Sequence, residues 1–282
     1  MKAVALGGGH GTSVALQALT RFASDVVGIV SVADNGGSSG KLRTLFDIPA
    51  VGDIRRCLSA TADPSNPLTK LLEQRIGPDL HPLGNLLLAS AILEHHDVER
   101  AIATVSRMVG SGVTLIPATS ADVELVGDVR NGSVRGQTAV HARSDISKIA
   151  LEPPHVAAPQ SACAALAHAD LIVAGPGSLY TSVLATLIAP GIAQAIRESA
   201  GLFVFLVNLR PEFPETASLT LEQQLEILHS YGIFPDVVVC DDTQPPVQRG
   251  DTRPVFASIS TQSGDAHDPD KVAQVLQGLV AN

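Results

Sequence analysis

A short apolar run, Lys2-Ala3-Val4-Ala5-Leu6, passes without a spacer into Gly7-Gly8-Gly9-His10-Gly11-Thr12-Ser13. So many residues lacking a Cβ, placed between an apolar strand and a helical stretch, restrict the chain to a sharp strand-to-helix turn of the kind found in α/β proteins. Across Gly8, Gly9, His10, Gly11 and Thr12 the backbone amides can point outward with nothing to block an anion, which makes the loop a phosphate cradle by geometry. It lacks the Gly-Lys-Ser/Thr ending of a P-loop and the three spaced glycines of the dinucleotide fingerprint. The same glycines would also serve close packing alone. His10 either donates to a phosphate or caps the loop.

The rest of the chain repeats this alternation. Apolar, β-branched runs at 3–6, 26–32, 171–174, 202–207 and 237–240 read as strands buried on both faces. Helical patterns at 12–22, 84–93, 98–109, 161–167, 219–231 and 270–280 lie between them. The expected fold is therefore α/β, with a mainly parallel, doubly wound sheet, and residues 1–282 read as one domain. Residues 113–151 break the pattern with short alternating segments around Asn131-Gly132, a dipeptide suited to a tight turn, and predict a small antiparallel excursion. Aromatics are only 3 % of the chain and Trp is absent, so the core must be built from Ala, Val, Leu and Ile on closely packed layers, which favours α/β over a sandwich.

A net charge of −9 with no Lys/Arg-rich run argues against nucleic acid as a partner. Cys57, Cys163 and Cys240 are too scattered for a disulfide framework or a zinc site. No apolar run reaches the length of a membrane span or a signal peptide, so the expectation is a cytoplasmic protein without membrane insertion.

Further loops carry the same chemistry. Ala33-Asp34-Asn35-Gly36-Gly37-Ser38-Ser39-Gly40 follows the second strand, where ligands of open α/β sheets collect. Asp34 stands roughly where dinucleotide folds set an acid against a ribose hydroxyl, and Gly36, Gly37, Ser38 and Ser39 offer amides and hydroxyls to an anion. A solvated turn is the plainer alternative. Gly52-Asp53-Ile54-Arg55-Arg56-Cys57-Leu58 adds a carboxylate, Asp53, and two guanidiniums, of which Arg55 is the candidate for binding phosphate through paired hydrogen bonds; a structural Asp-Arg pair is the plainer alternative. His81 and Asn85 open an apolar helix, facing a cleft or capping it. Gly175, Gly177, Ser178 and Tyr180 lie in Gly175-Pro176-Gly177-Ser178-Leu179-Tyr180-Thr181-Ser182, a second anion-ready helix start. Tyr180 occupies the last glycine position of a Gly-x-Ser-x-Gly elbow, which argues against a serine hydrolase.

Taken in order, these five motifs, followed by Asn208-Leu209 and Pro214-Glu215-Thr216, resemble the gluconeogenesis factor family (YvcK-like proteins), a branch of the CofD-like superfamily that also holds 2-phospho-L-lactate transferase. The resemblance implies a Rossmann-like three-layer α/β/α fold that binds a UDP-sugar such as UDP-N-acetylglucosamine, with Asp34 and Asn208 reading ribose or sugar hydroxyls and no cofactor required. It also implies a role in cell shape during growth on gluconeogenic carbon. The transferase branch implies instead a metal-assisted transfer of a phospholactyl-type group from a guanosine diphosphate donor to a deazaflavin, with Asp34 and Asp53 carrying Mg²⁺. Asn35 departs from the second Asp usual in the family, which removes a hard-oxygen ligand and tilts the reading toward binding. His10, Thr in many members, and Gln137, where Glu is frequent, also depart from the pattern. A homodimer is expected because closed two-fold assemblies dominate soluble oligomers.

Overall fold

The computed structural model describes residues 1–244 and 253–281. Its strands are β1 (Lys2–Gly7), β2 (Asp25–Val30), β3 (Arg75–Ile76), β4 (His81–Pro82), β5 (Thr114–Pro117), β6 (Glu124–Val129), β7 (Gly132–Arg135), β8 (Ile146–Glu152), β9 (Leu171–Ala174), β10 (Leu202–Leu206), β11 (Val237–Asp241) and β12 (Arg253–Ala257). The helices are α1 (Gly9–Leu19), α2 (Gly37–Phe46), α3 (Gly52–Thr61), α4 (Pro67–Leu71), α5 (Leu83–His95), α6 (Val98–Met108), α7 (Gln137–His141), α8 (Gln160–Ala167), α9 (Ala185–Leu187), α10 (Ile192–Glu198), α11 (Leu221–Ser230) and α12 (Pro269–Val280). A π-helical segment, Leu179–Leu184, precedes α9.

Seven strands form one parallel sheet in the order β12-β11-β10-β9-β1-β2-β5. Helices flank it, α1 packing with α3 and α12, and α8 with α10. Ala3 to Leu6 and Leu171 to Val173 are fully buried. Strands covered on both faces have no polar face to show, which is why they read as unbroken apolar runs. From β1 the chain builds outward through β2 to β5, then crosses back to β9 on the other side. The strand order therefore reverses between β1 and β9, and the crevice beyond their carboxyl ends is where such sheets take ligands.

Two edge strands differ from the sequence expectation. Thr114–Pro117, read as the start of the antiparallel excursion, pairs in parallel with β2. The excursion proper is the three-stranded sheet β7-β6-β8, within residues 124–152. Its hairpin turn is Arg130-Asn131, one residue earlier than expected, because Val129 pairs with Gly132, and Gly132 takes the positive φ of 124°. β12 carries Pro254, which only an edge strand tolerates, and so gives a weak strand signal. α1 begins at Gly9 rather than Thr12, and the Gly-Gly-Ser-Ser segment, read as a loop, turns into α2 at Gly37. Among the described residues no single helix is long and apolar enough to cross a membrane, and the three cysteines are free.

Candidate functional site

The glycine loops after β1 and β9 meet at the reversal point. A methyl on Gly11 would overlap the Pro176 carbonyl, and one on Gly177 would lie 3.7 Å from the Gly8 carbonyl oxygen. Glycine is required at Gly11 by this approach and at Gly9 by its φ of 68°. Asn66, Asp97, Thr220 and Asp268 cap α4, α6, α11 and α12, whereas the other α-helices start without a side-chain cap. Of these uncapped ends, those of α1, α2 and α3 lie on one cleft of about 350 Å³, which meets the positive ends of their dipoles.

Gly9, Asp34, Gly36, Gly37, Ser38, Ser39, Asp53, Arg55 and Asn85 line this cleft, together with Gly52, Arg56, Arg75, Pro82, Gln137 and Ser182. Asp34 is held by the Gly36 N–H, which donates to Oδ1 at 2.8 Å. Buried Asp53 accepts from Arg56 at 2.6 Å and from the Gly9 N–H. Burial, and next the charge of Asp34, raise its pKa from 3.8 to about 6, against the opposing pull of Arg56 and Gly9. Arg55, also buried, pairs with Glu73 and donates from Nε to Asn85 Oδ1 at 3.1 Å, which fixes the amide orientation of Asn85. Asn85 Nδ2 then donates to Ser38 Oγ at 3.0 Å, and Ser38 Oγ and His81 Nδ1 share a hydrogen bond of 2.7 Å. One continuous network, Glu73–Arg55–Asn85–Ser38–His81, thus joins α2, α3, β4 and α5 along the cleft wall.

Other expected residues sit beside the cleft or turn from it. Gly8 backs onto Asp53, and Thr12 is buried with its hydroxyl turned to the Gly8 carbonyl at 3.3 Å. His10 is exposed at the rim, where partial burial, then Arg56 and Arg55, lower its pKa. Asn35 faces the excursion: its Oδ1 accepts from Thr138 N at 3.0 Å and Thr138 Oγ1 at 3.1 Å, docking α7 over the cleft. Gly175 packs under the Leu206 carbonyl. The Gly177 N–H is taken by Asn208 Oδ1 at 2.7 Å, so that amide is not free for an anion. Ser178 bonds Glu212. Tyr180 is buried, its hydroxyl on the Ile146 carbonyl at 3.2 Å, and belongs to the core. Asn208 lies in the wall of a second cavity of about 550 Å³ beyond β10 and β11.

Six cleft residues were not among the expected site residues. Gly52, Arg56, Pro82 and Ser182 lie inside the motifs singled out above, and Gln137 carried no assigned role. Arg75 comes from the two-residue strand β3, which has no readable signal. Glu215 serves the scaffold instead. Fully buried, it accepts from Tyr180 N at 2.7 Å, Thr181 Oγ1 at 2.8 Å and His141 Nδ1 at 2.9 Å, and so fastens the π-helical segment to α7. His141, Glu212 and Glu215 bring three cation-binding atoms within 4.8 Å, but Glu215 is already satisfied by protein donors.

A family model described as 2-phospho-L-lactate transferase CofD matches residues 3–275. A Halalkalibacterium halodurans protein named gluconeogenesis factor is 36 % identical over 245 residues, spanning 84 % of this chain and 76 % of its own length. An Aquifex aeolicus protein that bears the same name provisionally is 33 % identical, spanning 99 % of this chain and 96 % of its own. The crystal structure of a UPF0052 family member from Bacillus halodurans aligns with a TM-score of 0.91 at 30 % identity, covering 98 % of each chain.

Proposed function

The chain belongs to the CofD family, and on that premise we propose that it binds a nucleoside diphosphate sugar of the UDP-N-acetylglucosamine type, with the diphosphate in the cleft at the reversal point. The observation that carries this reading is the convergence of three uncapped helix starts and three guanidiniums, Arg55, Arg56 and Arg75, on one small polar cleft. Helix amino termini and arginine forks are the two protein groups best matched to phosphate oxygens. Such a cleft binds anions although the chain as a whole is negative, because within a few ångströms oriented amides and guanidiniums dominate over screened distant charge. Titration calorimetry with UDP-N-acetylglucosamine tests the proposal: a saturable heat, lost in Arg56→Ala, is expected, and no heat at millimolar ligand would refute it.

A second reading is favoured by the two carboxylates. Asp34 and Asp53 share the cleft, and the raised pKa of Asp53 reflects its burial and then the charge of Asp34, both of which a cation would offset. This donor set fits Mg²⁺, which is usually held by one or two carboxylates plus phosphate oxygens. Bound there, Mg²⁺ would neutralise charge on a departing phosphate, as phospholactyl-type transfer from a guanosine diphosphate donor to a deazaflavin requires. Product formation abolished by Asp53→Asn would support the transferase. Sugar-nucleotide binding without turnover would support the binder. The relatives' name extends the proposal to growth on gluconeogenic carbon, where a deletion strain should lose its normal cell shape. A homodimer is proposed on the frequency of two-fold assemblies alone.

A further inference from the structure

Of the hydroxyls that line the arginine cleft, those of Ser38, Ser39 and Ser182, the first alone is hydrogen-bonded to an imidazole among the described residues. Ser38 stands in the first turn of α2, half-buried, with its Oγ 2.7 Å from His81 Nδ1. His81 is held in turn: its Nε2 faces Asp79 Oδ2 at 4.0 Å, and Asp79 Oδ1 takes Lys41 at 2.6 Å. The hydrogen bond from Lys41, and then its charge, keep the Asp79 carboxyl below its usual range, so it remains an anion beside the ring. A carboxylate on the Nε2 side favours the imidazole tautomer that carries its proton there and leaves Nδ1 free to accept. Hydroxyl, base and orienting carboxylate in that order are the arrangement that activates a serine nucleophile.

The remaining contact of Ser38 serves the same end. Asn85, locked by Arg55 Nε on its Oδ1 at 3.1 Å, donates from Nδ2 to Ser38 Oγ at 3.0 Å. With one lone pair on Asn85 and the proton on His81, the oxygen keeps its second lone pair for an electrophile. The same Asn85 amide stabilises the charge that grows on Oγ as the proton leaves. The rest of the cleft sets the electrophile. Arg55, Arg56 and Arg75, with the starts of α1, α2 and α3, suit phosphate oxygens, and neutralising those oxygens opens phosphorus to attack.

We propose that Ser38 is a nucleophile toward the phosphorus of an ester or anhydride held in this cleft, with His81 as its general base. The proposal rests on the phosphate reading of the cleft and adds a reaction to it. Ser38 Oγ attacks phosphorus: the Oγ–P bond forms as the bond from phosphorus to the leaving oxygen breaks, the electron pair departs on that oxygen, and the Oγ proton passes to His81 Nδ1. The product is a serine phosphate ester, which water cleaves. The water oxygen bonds phosphorus, the Oγ–P bond breaks, Oγ recovers its proton from His81, and the water gives up one proton to solvent. Asp79 is a positioning residue, acting on Ser38 through the ring of His81.

The probe is p-nitrophenyl phosphate, whose leaving group is coloured, with inorganic pyrophosphate as a test of the cleft alone. The full wild-type chain should release p-nitrophenolate and, quenched in acid during turnover, should carry a phosphoryl group on the peptide that contains Ser38, located by mass spectrometry. Ser38→Ala should lose both the label and the release. His81→Gln, which keeps a hydrogen-bonding side chain without a basic nitrogen, should slow release at least about hundredfold. Asp79→Asn should lower kcat while leaving KM within about twofold, a split that a loosened cleft would not produce. The label on the wild-type peptide needs no variant, and so tests the nucleophile even where a substitution perturbs folding. No release from the wild type, release that survives in Ser38→Ala, or a label on another residue would overturn the nucleophile. If pyrophosphate still binds in calorimetry, the cleft reading stands without it, whereas absence of pyrophosphate binding as well would overturn both.

Discussion

Asp53→Asn should make the ligand-free protein more stable at neutral pH, and the gain should vanish in acid. The carboxyl of Asp53 is buried against Asp34, and its pKa stands near 6 in place of 3.8. The fold thus favours the protonated acid, so between those values the native state binds more protons than the unfolded chain, and stability falls as pH rises. Above about pH 7 the full cost is present, about 3 kcal/mol for a rise of this size at 1.36 kcal/mol per tenfold change in proton affinity. That figure already nets the favourable contacts with Arg56 and Gly9 against burial and Asp34. Asparagine keeps the shape and an acceptor oxygen without the charge. The variant should therefore gain about 3 kcal/mol near pH 8, roughly 6 °C in melting temperature for a domain this large, and almost nothing near pH 4, where both proteins are neutral at this position. Urea and thermal unfolding of wild type and variant across that range provide the assay. A difference that stays constant with pH, or a variant less stable than wild type near pH 8, would refute a buried Asp53 held above the usual carboxylate range. Phosphate-ligand affinity should move the other way where Mg²⁺ is required, which would mark Asp53 as a residue kept at a cost in stability for its function.

Gly9→Ala and Gly11→Ala should part company: the first adds only the strain of a positive φ, about 1 kcal/mol, its methyl in ordinary contact with Asp53 Oδ1 at 3.9 Å, whereas the second drives a methyl into the Pro176 carbonyl and should cost about 3 kcal/mol or more in chemical denaturation. Asn208→Ala frees the Gly177 amide and should lower stability by about 1–2 kcal/mol in chemical denaturation. Glu215→Ala should strip the buried acceptor from Tyr180, Thr181 and His141 and cost about 3 kcal/mol or more, read as an early melting transition.

How far this site was legible from sequence depends on how local each interaction is. β1, β2 and β9 were visible because burial on both faces leaves nothing but apolar residues to write them with, and the glycines that follow were visible because a backbone that must approach another backbone admits no side chain. Asp34, Asp53, Arg55 and Asn85 were found for the same reason, each lying within a few residues of such a strand end or helix start. What stayed hidden was pairing across long separations. Asn35 looked like a lost metal ligand, but its amide holds Thr138, 103 residues away, so the position reports how α7 docks over the cleft. Asn208, expected to read a ribose or sugar hydroxyl, turns its carbonyl oxygen to the Gly177 amide, 31 residues back. Ser178 and Tyr180 have the residue types of a ligand loop but are drawn inward by Glu212 and Ile146. In each case the residue type identified a polar group needing a partner, and only the crossing from β5 back to β9 decided whether that partner was a ligand or the protein itself. The helix starts that face the cleft without a capping side chain of their own, those of α1, α2 and α3, present backbone atoms, and the first of them, the Gly9 N–H, is turned to Asp53. Their sequence signature is the glycine that stands where a capping serine or aspartate would otherwise be, as Gly8 and Gly36 do before α1 and α2.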